Sequence, residues 1–249
     1  MNCKLSIVIP AFNEEKRLTS TLDAVAAYAA RLGGGAETIV VDDGSADGTT
    51  ALVRKYARAH AGVRLIENGR NRGKGYAVRR GVLEATGERI LFTDADLSAP
   101  IEEVEKLLPW FEQGYDVVIG SRALAESRIL VHQSAARETM GRIFNLLVQC
   151  LALRGIRDTQ CGFKCFRRAP ARDVFKRQTL TGFSFDVEVL HLASRLGYRI
   201  REVPVTWSNS ADTRVNALWD SARMFLDLLR IRLRHRRLRP RSPASLRGR

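Results

Sequence analysis

Glu88-Arg89-Ile90-Leu91-Phe92-Thr93-Asp94-Ala95-Asp96 is the stretch from which the rest of the chain is read. Ile90, Leu91 and Phe92 form an apolar run bounded by polar residues, the pattern of a buried strand. The strand ends in two carboxylates one residue apart. In an open α/β sheet, ligands bind beyond the carboxyl ends of the strands. Asp94 and Asp96, separated by Ala95, can there face one divalent cation. Mg²⁺ suits such a place, because it is commonly held by one or two carboxylates plus substrate phosphates. An isolated Asp-x-Asp also occurs as a solvated strand end with a helix cap, so its neighbours decide its meaning.

Upstream, Leu5 to Pro10 (LSIVIP) is a continuous apolar run, as in a central parallel strand. Ala11-Phe12-Asn13-Glu14-Glu15 follows, then a helical pattern through Leu18, Leu22, Val25 and Ala29 that Gly33-Gly34-Gly35 stops. Thr38 to Val41 is a second strand, ending in Asp42-Asp43-Gly44-Ser45. A helix through Leu52, Val53 and Tyr56 opens after Asp47-Gly48-Thr49. Val63 to Ile66 is a short third strand, and Asn71-Arg72-Gly73-Lys74-Gly75 leads into a helix from Tyr76 to Ala85. The Asp94 strand is the fourth and Asp116 to Gly120 the fifth. Strand–helix alternation of this kind predicts a doubly wound, mostly parallel sheet. Asp42 and Asp43 are candidates to bond ribose hydroxyls or a base N–H, or to shape a turn. Arg72-Gly73-Lys74-Gly75 lets backbone approach an anion at a helix start. It matches neither GxGxxG nor a Walker A loop, which disfavours a dinucleotide-dependent dehydrogenase.

The chain has 249 residues, 45% of them hydrophobic, and a formal charge of +14. Nine arginines and no acid lie in residues 230–249, so subtracting them from +14 leaves +5 for residues 1–229. The basic excess is thus mostly a property of the tail, and no aromatic-rich basic motif accompanies it, so nucleic acid is not the expected partner. Cys161 and Cys165 have neither zinc nor CxxC spacing and read, like Cys3 and Cys150, as free thiols in a reducing compartment. Met1-Asn2-Cys3-Lys4 runs straight into the first strand, so no leader is expected. The uncharged stretch from Ile143 to Leu153 falls short of the ~18 apolar residues of a membrane span.

Four motifs stand in order: IVIPAFNEE (7–15), VVDDGSADGT (40–49), NRGKGYAVRRG (71–81) and FTDADLS (92–98). Together they resemble the family-2 inverting glycosyltransferases of GT-A fold, over residues 4–235. The resemblance is greatest to dolichyl-phosphate β-glucosyltransferases and looser to dolichyl-phosphate mannose synthases. It implies that Pro10, Asn13, Glu14, Asp42 and Asp43 contact the nucleoside of a sugar nucleotide, with Lys74 near the nucleotide. It places Asp94 and Asp96 on the metal-binding DXD motif, where Mg²⁺ or Mn²⁺ bridges the diphosphate and neutralises the leaving group.

Beyond residue 121 the acceptor side is expected. Arg122 ends a buried strand at the metal's sheet edge and suits bidentate phosphate contact. Ser134 to Leu153 has helical periodicity, with Met140, Ile143, Phe144, Leu147, Val148 and Leu151 on one face; core packing is the default reading and a lipid-facing helix the alternative. By resemblance, an arginine near Arg137 helps hold the acceptor phosphate. GIRDTQCGFK (155–164) resembles the glucosyltransferase subgroup and makes Asp158 a candidate general base or donor-sugar contact. A phosphate monoester has a second pKa near ~6, so the acceptor is largely ionised at neutral pH and positioning is the favoured role for Asp158. Asp186 and Glu188 read as sugar contacts or as acids at a helix N-terminus. Arg199 to Val205 reads as a last strand and Trp207 to Asn216 as a lid loop.

Residues 215–237 form a helical pattern with Leu218, Trp219, Ala222, Phe225, Leu226, Leu229 and Leu233 set against many arginines. Such a helix fits an anionic membrane surface. Residues 239–249 (RPRSPASLRGR) read as disordered.

The expected organisation is one GT-A domain over 1–235: a sugar-nucleotide half (1–121), an acceptor half (122–213) and a basic amphipathic helix (214–237), followed by a tail (238–249). The expected activity is metal-dependent, inverting transfer of one hexose to a polyprenyl (dolichyl or undecaprenyl) phosphate by a peripheral protein at the cytoplasmic face of a membrane. The favoured donor is UDP-glucose, with GDP-mannose the alternative. A Gln-x-x-Arg-Trp motif, which processive synthases carry, is missing, and this argues against polymerisation.

Overall fold

The computed structural model describes residues 4–33, 35–131, 135–209 and 217–238, with side chains outside the description at 135–138, 142–143 and 217–224. Its centre is a seven-stranded sheet in the order β3-β2-β1-β4-β7-β5-β8. The strands are β1 (Leu5–Ala11), β2 (Ala36–Asp42), β3 (Val63–Glu67), β4 (Arg89–Thr93), β5 (Val117–Ser121), β7 (Phe163–Arg167) and β8 (Ile200–Pro204). A small parallel pair, β6 (Arg128–Val131) and β9 (Thr206–Ser208), stands apart from it.

The apolar runs read as parallel strands do pair in parallel. Val8 of β1 lies opposite Ile39 of β2 and Phe92 of β4. Alternate residues feed opposite faces, as a period-two backbone requires. Val8, Ile39, Val41, Ile90 and Phe92 join one buried cluster. Ile7, Ile9, Val40 and Leu91 join the other. Helices α1 (Leu18–Arg31), α2 (Thr49–Ala59) and α4 (Val104–Glu112) each bury side chains in the second cluster, and α3 (Lys74–Glu84), α6 (Arg168–Arg177) and α7 (Phe185–Arg195) in the first.

The main departure from the sequence reading is β7. Its residues are the tail of the GIRDTQCGFK signature, yet they insert between β4 and β5 and run antiparallel to both. Thr93 is thereby paired with Phe163. An antiparallel strand starts where its parallel neighbours end, so Cys161 and Gly162 arrive beside Asp94.

Three further expectations are adjusted. Trp207 is not in a loop: it sits in β9 and is buried, and the rest of the expected lid, 210–216, lies outside the described residues. Helix α5 (Ala135–Leu151) sends Val148 into the core with Phe144, Leu147 and Leu151 against it, so most of its described apolar face packs on protein. Helix α8 (Ala217–His235) buries Leu228 and Ile231, while Phe225, Leu226, Leu229 and Leu233 remain exposed. Among the described residues no helix is long and apolar enough to cross a membrane. The expected tail beyond residue 238 lies outside the description.

Candidate active site

After β4 the chain turns sharply. Leu97 has φ 45° and its N–H bonds the Asp94 carbonyl at 3.1 Å. Thr21 Oγ1 donates to the Ala95 carbonyl at 2.6 Å, and Ala95 is buried. Pinning Ala95 inward leaves Asp94 and Asp96 half-buried at the sheet edge. Asp96 Oδ1 accepts the Ser98 N–H at 3.0 Å. Asp94 Oδ1 receives Lys74 Nζ at 2.5 Å. Burial opposes the charge on Lys74, but Asp94, Asp186 and Asp96 outweigh it and hold its pKa above the usual lysine range. The edge is therefore built for positive charge among carboxylates.

Lys74 reaches this place because Gly73 starts α3 at φ 97°, packed so tightly that a Cβ there would lie 2.4 Å from the Thr181 carbonyl oxygen. Thr181 in turn accepts the Gly75 N–H at 2.8 Å. Opposite, a Cβ on Gly162 would lie 2.1 Å from Asp94 Oδ2. Only a glycine permits this approach. Behind it, Lys164 of β7 is fully buried. Its ammonium bonds Asp186 Oδ1 at 2.5 Å and the Cys161 carbonyl at 2.6 Å, and faces the Phe92 ring. Burial pushes the Asp186 carboxyl up, with Lys164 and Lys74 opposing.

Arg122 and Asp158 face each other. Arg122 Nε and Nη2 form a fork on the Asp158 carboxylate at 2.7 and 2.9 Å, and the Arg122 backbone N–H adds a third bond at 2.9 Å. The backbone N–H groups of Gln160 and Cys161 also donate to Asp158 Oδ1. Burial works against the Asp158 charge, yet Arg122 and these donors bring its pKa down to about 2. Glu202 of β8 accepts the N–H groups of Arg157 and Asp158, both at 2.8 Å, which fixes the loop. The Arg122 guanidinium stacks on Trp207 at 5.3 Å. Its Nη1 makes no hydrogen bond among the described residues. Trp207, Asp94, Cys161, Gly162, Ser98 and Thr93 line a small cleft that opens to solvent.

The residues expected at the nucleoside meet at the ends of β1 and β2, where Pro10 is half-buried. Asn13, at φ 53°, accepts the Ala46 N–H through Oδ1 at 2.7 Å and donates its own N–H to Ser45 Oγ at 2.8 Å. The Glu14 N–H donates to Thr49 Oγ1, and its carboxylate pairs with Arg17. Asp42 accepts Ser45 and Thr50 hydroxyls. Asp43 accepts Asn68 Nδ2 and the N–H groups of Arg72 and Gly73. Both acids are buried and shape the loops that enclose the edge. Arg137 falls on α5, with its side chain outside the described residues.

Among the described residues no group of three or more His, Cys, Asp or Glu gathers as a metal cage. The donor set at the edge is two carboxylates, Asp94 and Asp96. It fits Mg²⁺ or Mn²⁺ whose shell is completed by phosphate oxygens and water.

Comparison with known proteins decides the family. The model for glycosyl transferase family 2 matches residues 6–175. The chain belongs to glycosyl transferase family 2. Curated relatives of this glycosyltransferase include the dolichyl-phosphate β-glucosyltransferase of Mus musculus, 40% identical over 93% of this chain and 76% of the relative. The enzyme of the same name from Drosophila melanogaster is 38% identical over 93% and 75% of the two chains. Among solved structures, glucosyl-3-phosphoglycerate synthase from Mycobacterium tuberculosis, in complex with Mn²⁺, UDP and glucosyl-3-phosphoglycerate, superposes with TM-score 0.67 at 22% identity, covering 96% and 81%. A mannosyltransferase from Pyrobaculum calidifontis with GDP-Man and Mn²⁺ gives TM-score 0.63 at 20% identity, covering 93% and 64%. These similarities establish the GT-A fold.

Sequence reasoning missed several residues around the glycosyltransferase's edge. Lys164 and Gly162 lay inside a quoted motif, but only the antiparallel pairing of β7 reveals what they touch. Asp186 and Glu188 do stand in the first turn of α7, as the helix N-terminus reading expected, but both are buried. Asp186 is buried against Lys164, and Glu188 accepts Thr179 Oγ1, two backbone N–H groups and His235 Nε2. Phe-Lys-Cys-Phe-Arg, with a lysine between aromatic residues, was the available signal for a strand carrying an inward cation.

Proposed function

We propose that the chain transfers one glucose from UDP-glucose to a polyprenyl phosphate, with inversion at the anomeric carbon and a divalent cation. The observation that carries this is the shared edge: Asp94, which holds Lys74 and stands beside Asp96, lines a cleft with Cys161 and Trp207, and these two contact Asp158 and Arg122. The names of the relatives, dolichyl-phosphate β-glucosyltransferases, supply the acceptor and the sugar. The Mn²⁺ and UDP in the mycobacterial synthase support the cofactor and the nucleotide.

Asp94 and Asp96 would hold Mg²⁺ or Mn²⁺, which stabilises the charge on the departing diphosphate. Lys74 adds positive charge at the same phosphates. Pro10, Asn13, Glu14, Asp42 and Asp43 form the nucleoside side. Arg122 offers Nη1 to the acceptor phosphate while its other donors stay locked on Asp158, and Arg137 assists. A carboxylate at pKa about 2 that accepts five hydrogen bonds is a poor proton acceptor. Asp158 therefore orients Arg122, and the acceptor phosphate attacks already ionised.

The test is product formation with dolichyl and undecaprenyl phosphate against UDP- and GDP-sugars, with Mn²⁺ and with chelator. Metal-dependent transfer from UDP-glucose is expected. Transfer from GDP-mannose alone would replace the donor, and full activity of Asp96→Ala with metal present would overturn the metal role.

We also assign the exposed stripe of α8, Leu226, Leu229 and Leu233 beside Arg230 and Arg234, with Arg237 just past the helix end, to the surface of an anionic membrane at the cytoplasmic face. Leu226→Glu/Leu233→Glu should lose sedimentation with anionic vesicles and keep UDP binding. Unchanged sedimentation would remove the stripe from that role.

A further inference from the structure

Helix α3 opens behind Gly73, which has no side chain to cap it. The first N–H groups of a helix have no partner inside it. The Gly75 N–H finds one outside, on the Thr181 carbonyl at 2.8 Å. The Gly75 carbonyl receives Gln178 Nε2 at 2.9 Å, and the same nitrogen bonds the Leu180 carbonyl at 2.7 Å. With Gly73 pressed against Thr181, residues 178–181 hold both neighbours of Lys74. The loop is held in turn by a carboxylate. Glu188 of α7 is fully buried. Its Oε2 accepts the N–H groups of Thr179 and Leu180 at 3.0 and 2.7 Å, and its Oε1 accepts Thr179 Oγ1 at 2.6 Å. The fourth donor comes from the other end of the fold: His235, the last residue of α8, is 6% exposed and sets Nε2 at 2.8 Å from Oε1. Burial opposes the charge on Glu188, but His235, Thr179 and the backbone donors outweigh it and keep its pKa below the ordinary range. An ionised carboxylate only accepts, so His235 Nε2 carries the proton of this bond.

We propose that Glu188 and His235 are positioning residues for Lys74, so that the last side chain of α8 helps set the loop that aims Lys74 at the nucleotide phosphates. This rests on the reading of Lys74 as a phosphate contact. Every link from α8 to Asp94 is a direct contact: His235 to Glu188, Glu188 to Leu180, Thr181 to Gly75, and Lys74 to Asp94. A buried carboxylate that loses a donor turns towards its remaining ones, and the two N–H groups on it move as it turns. Those N–H groups belong to the residues just before Thr181, so the shift arrives at the first turn of α3. Three donors remain on Glu188 without His235, so the effect on nucleotide affinity is on the order of fivefold rather than complete loss.

The test is a double-variant cycle on the full chain, read as UDP affinity with Mn²⁺ by titration calorimetry. His235→Leu should bind UDP about fivefold more weakly than wild type. His235→Gln, whose amide nitrogen falls near the place of Nε2, should restore the affinity. In the Lys74→Gln background His235→Leu should have no further effect, because the group it positions is gone. Amide hydrogen exchange without nucleotide should speed up in residues 74–84 and 178–188 of His235→Leu and stay unchanged in β1 and β2. Equal weakening in both backgrounds would mean that His235 serves stability alone and would overturn the proposal. So would a His235→Leu protein that binds like wild type, a His235→Gln protein as weak as His235→Leu, or unchanged exchange in α3. If His235→Leu fails to fold, Thr179→Val removes a donor from the same carboxylate without touching α8 and gives the same cycle. Lys74→Gln with wild-type affinity would overturn the phosphate reading of Lys74 and this proposal together. Weak binding by Lys74→Gln beside normal binding by His235→Leu would overturn this proposal alone.

Discussion

Gly162→Ala is the substitution that separates the geometry of the edge from its chemistry. It removes no charged group, and the glycine's φ is not in the left-handed region, so the backbone accepts alanine. The new methyl would lie 2.1 Å from Asp94 Oδ2, 2.5 Å from Cγ and 2.8 Å from Oδ1. Ordinary carbon–oxygen contact is about 3.3 Å, so the carboxylate must retreat by about 1 Å or rotate away. Either movement breaks the Lys74 contact and misplaces a carboxylate proposed to hold the metal. A displacement of that size costs about 10²-fold in rate when it falls on a positioning group. The assay is kcat/KM for glucosyl transfer from UDP-glucose, run beside Mn²⁺ binding and thermal unfolding. Gly182→Ala is the control, because a Cβ there meets nothing within 4 Å. Wild-type turnover by Gly162→Ala, with a normal melting curve, would refute the assignment of Asp94 to the reacting edge.

Asp158→Asn leaves Arg122 without its counter-charge and should destabilise the protein by about 3–5 kcal/mol in urea unfolding. Adding Arg122→Met should restore much of that loss, and a double variant worse than the single one would show that the pair is not a unit. The Asp158 carboxyl also predicts an acid limb. Its folded pKa of about 2 lies below the ordinary 3.8, so its stabilisation is complete above 3.8 and is lost as pH falls towards 2. That amounts to about 2 kcal/mol, read as a pH-dependent urea midpoint that Asp158→Asn should flatten. Burial pushes the Cys161 and Cys165 thiols up to about 12, whereas Cys150 is exposed. Maleimide should label Cys150 at once and Cys161 and Cys165 only on unfolding, and rapid labelling of Cys161 in folded protein would contradict the packing at the cleft.

The parallel strands and the acidic edge were legible because local pattern carries them. Leu5 to Pro10 and Ile90 to Phe92 are apolar on both faces, and a chain of that kind needs helices on either side of it. What pattern could not carry was pairing at long range. β7 is five residues long and contains a lysine and an arginine, so apart from its aromatic residues little in it marks an interior strand. Its place between β4 and β5 buries Lys164 completely. Arg122 and Asp158 were both read as site residues, but 36 positions separate them, and their bond follows only from the loop that returns before β7. Asp42 and Asp43 were read as ligand contacts or turn formers, and here their oxygens hold the loops at 44–50 and 68–73.

The C-terminal helix shows how one amphipathic pattern can conceal two faces. Its sequence sets leucines against arginines, which suggests a single apolar stripe meant for lipid. In the fold, Leu228, Ile231 and His235 occupy one stripe at helical spacing and are buried. Leu226, Leu229 and Leu233 occupy another and are exposed. His235 Nε2 lies 2.8 Å from Glu188 Oε1, and that carboxylate also ties down Thr179 and Leu180, next to the Thr181 carbonyl that receives Gly75. The helix is thus joined through one carboxylate to the loop that seats Lys74. Deleting it would uncover α7 and loosen that loop, so a truncated chain would lose nucleotide affinity for reasons unrelated to membranes. Substitutions confined to the exposed stripe leave His235 and the buried face in place, and only they can assign the outer surface to lipid.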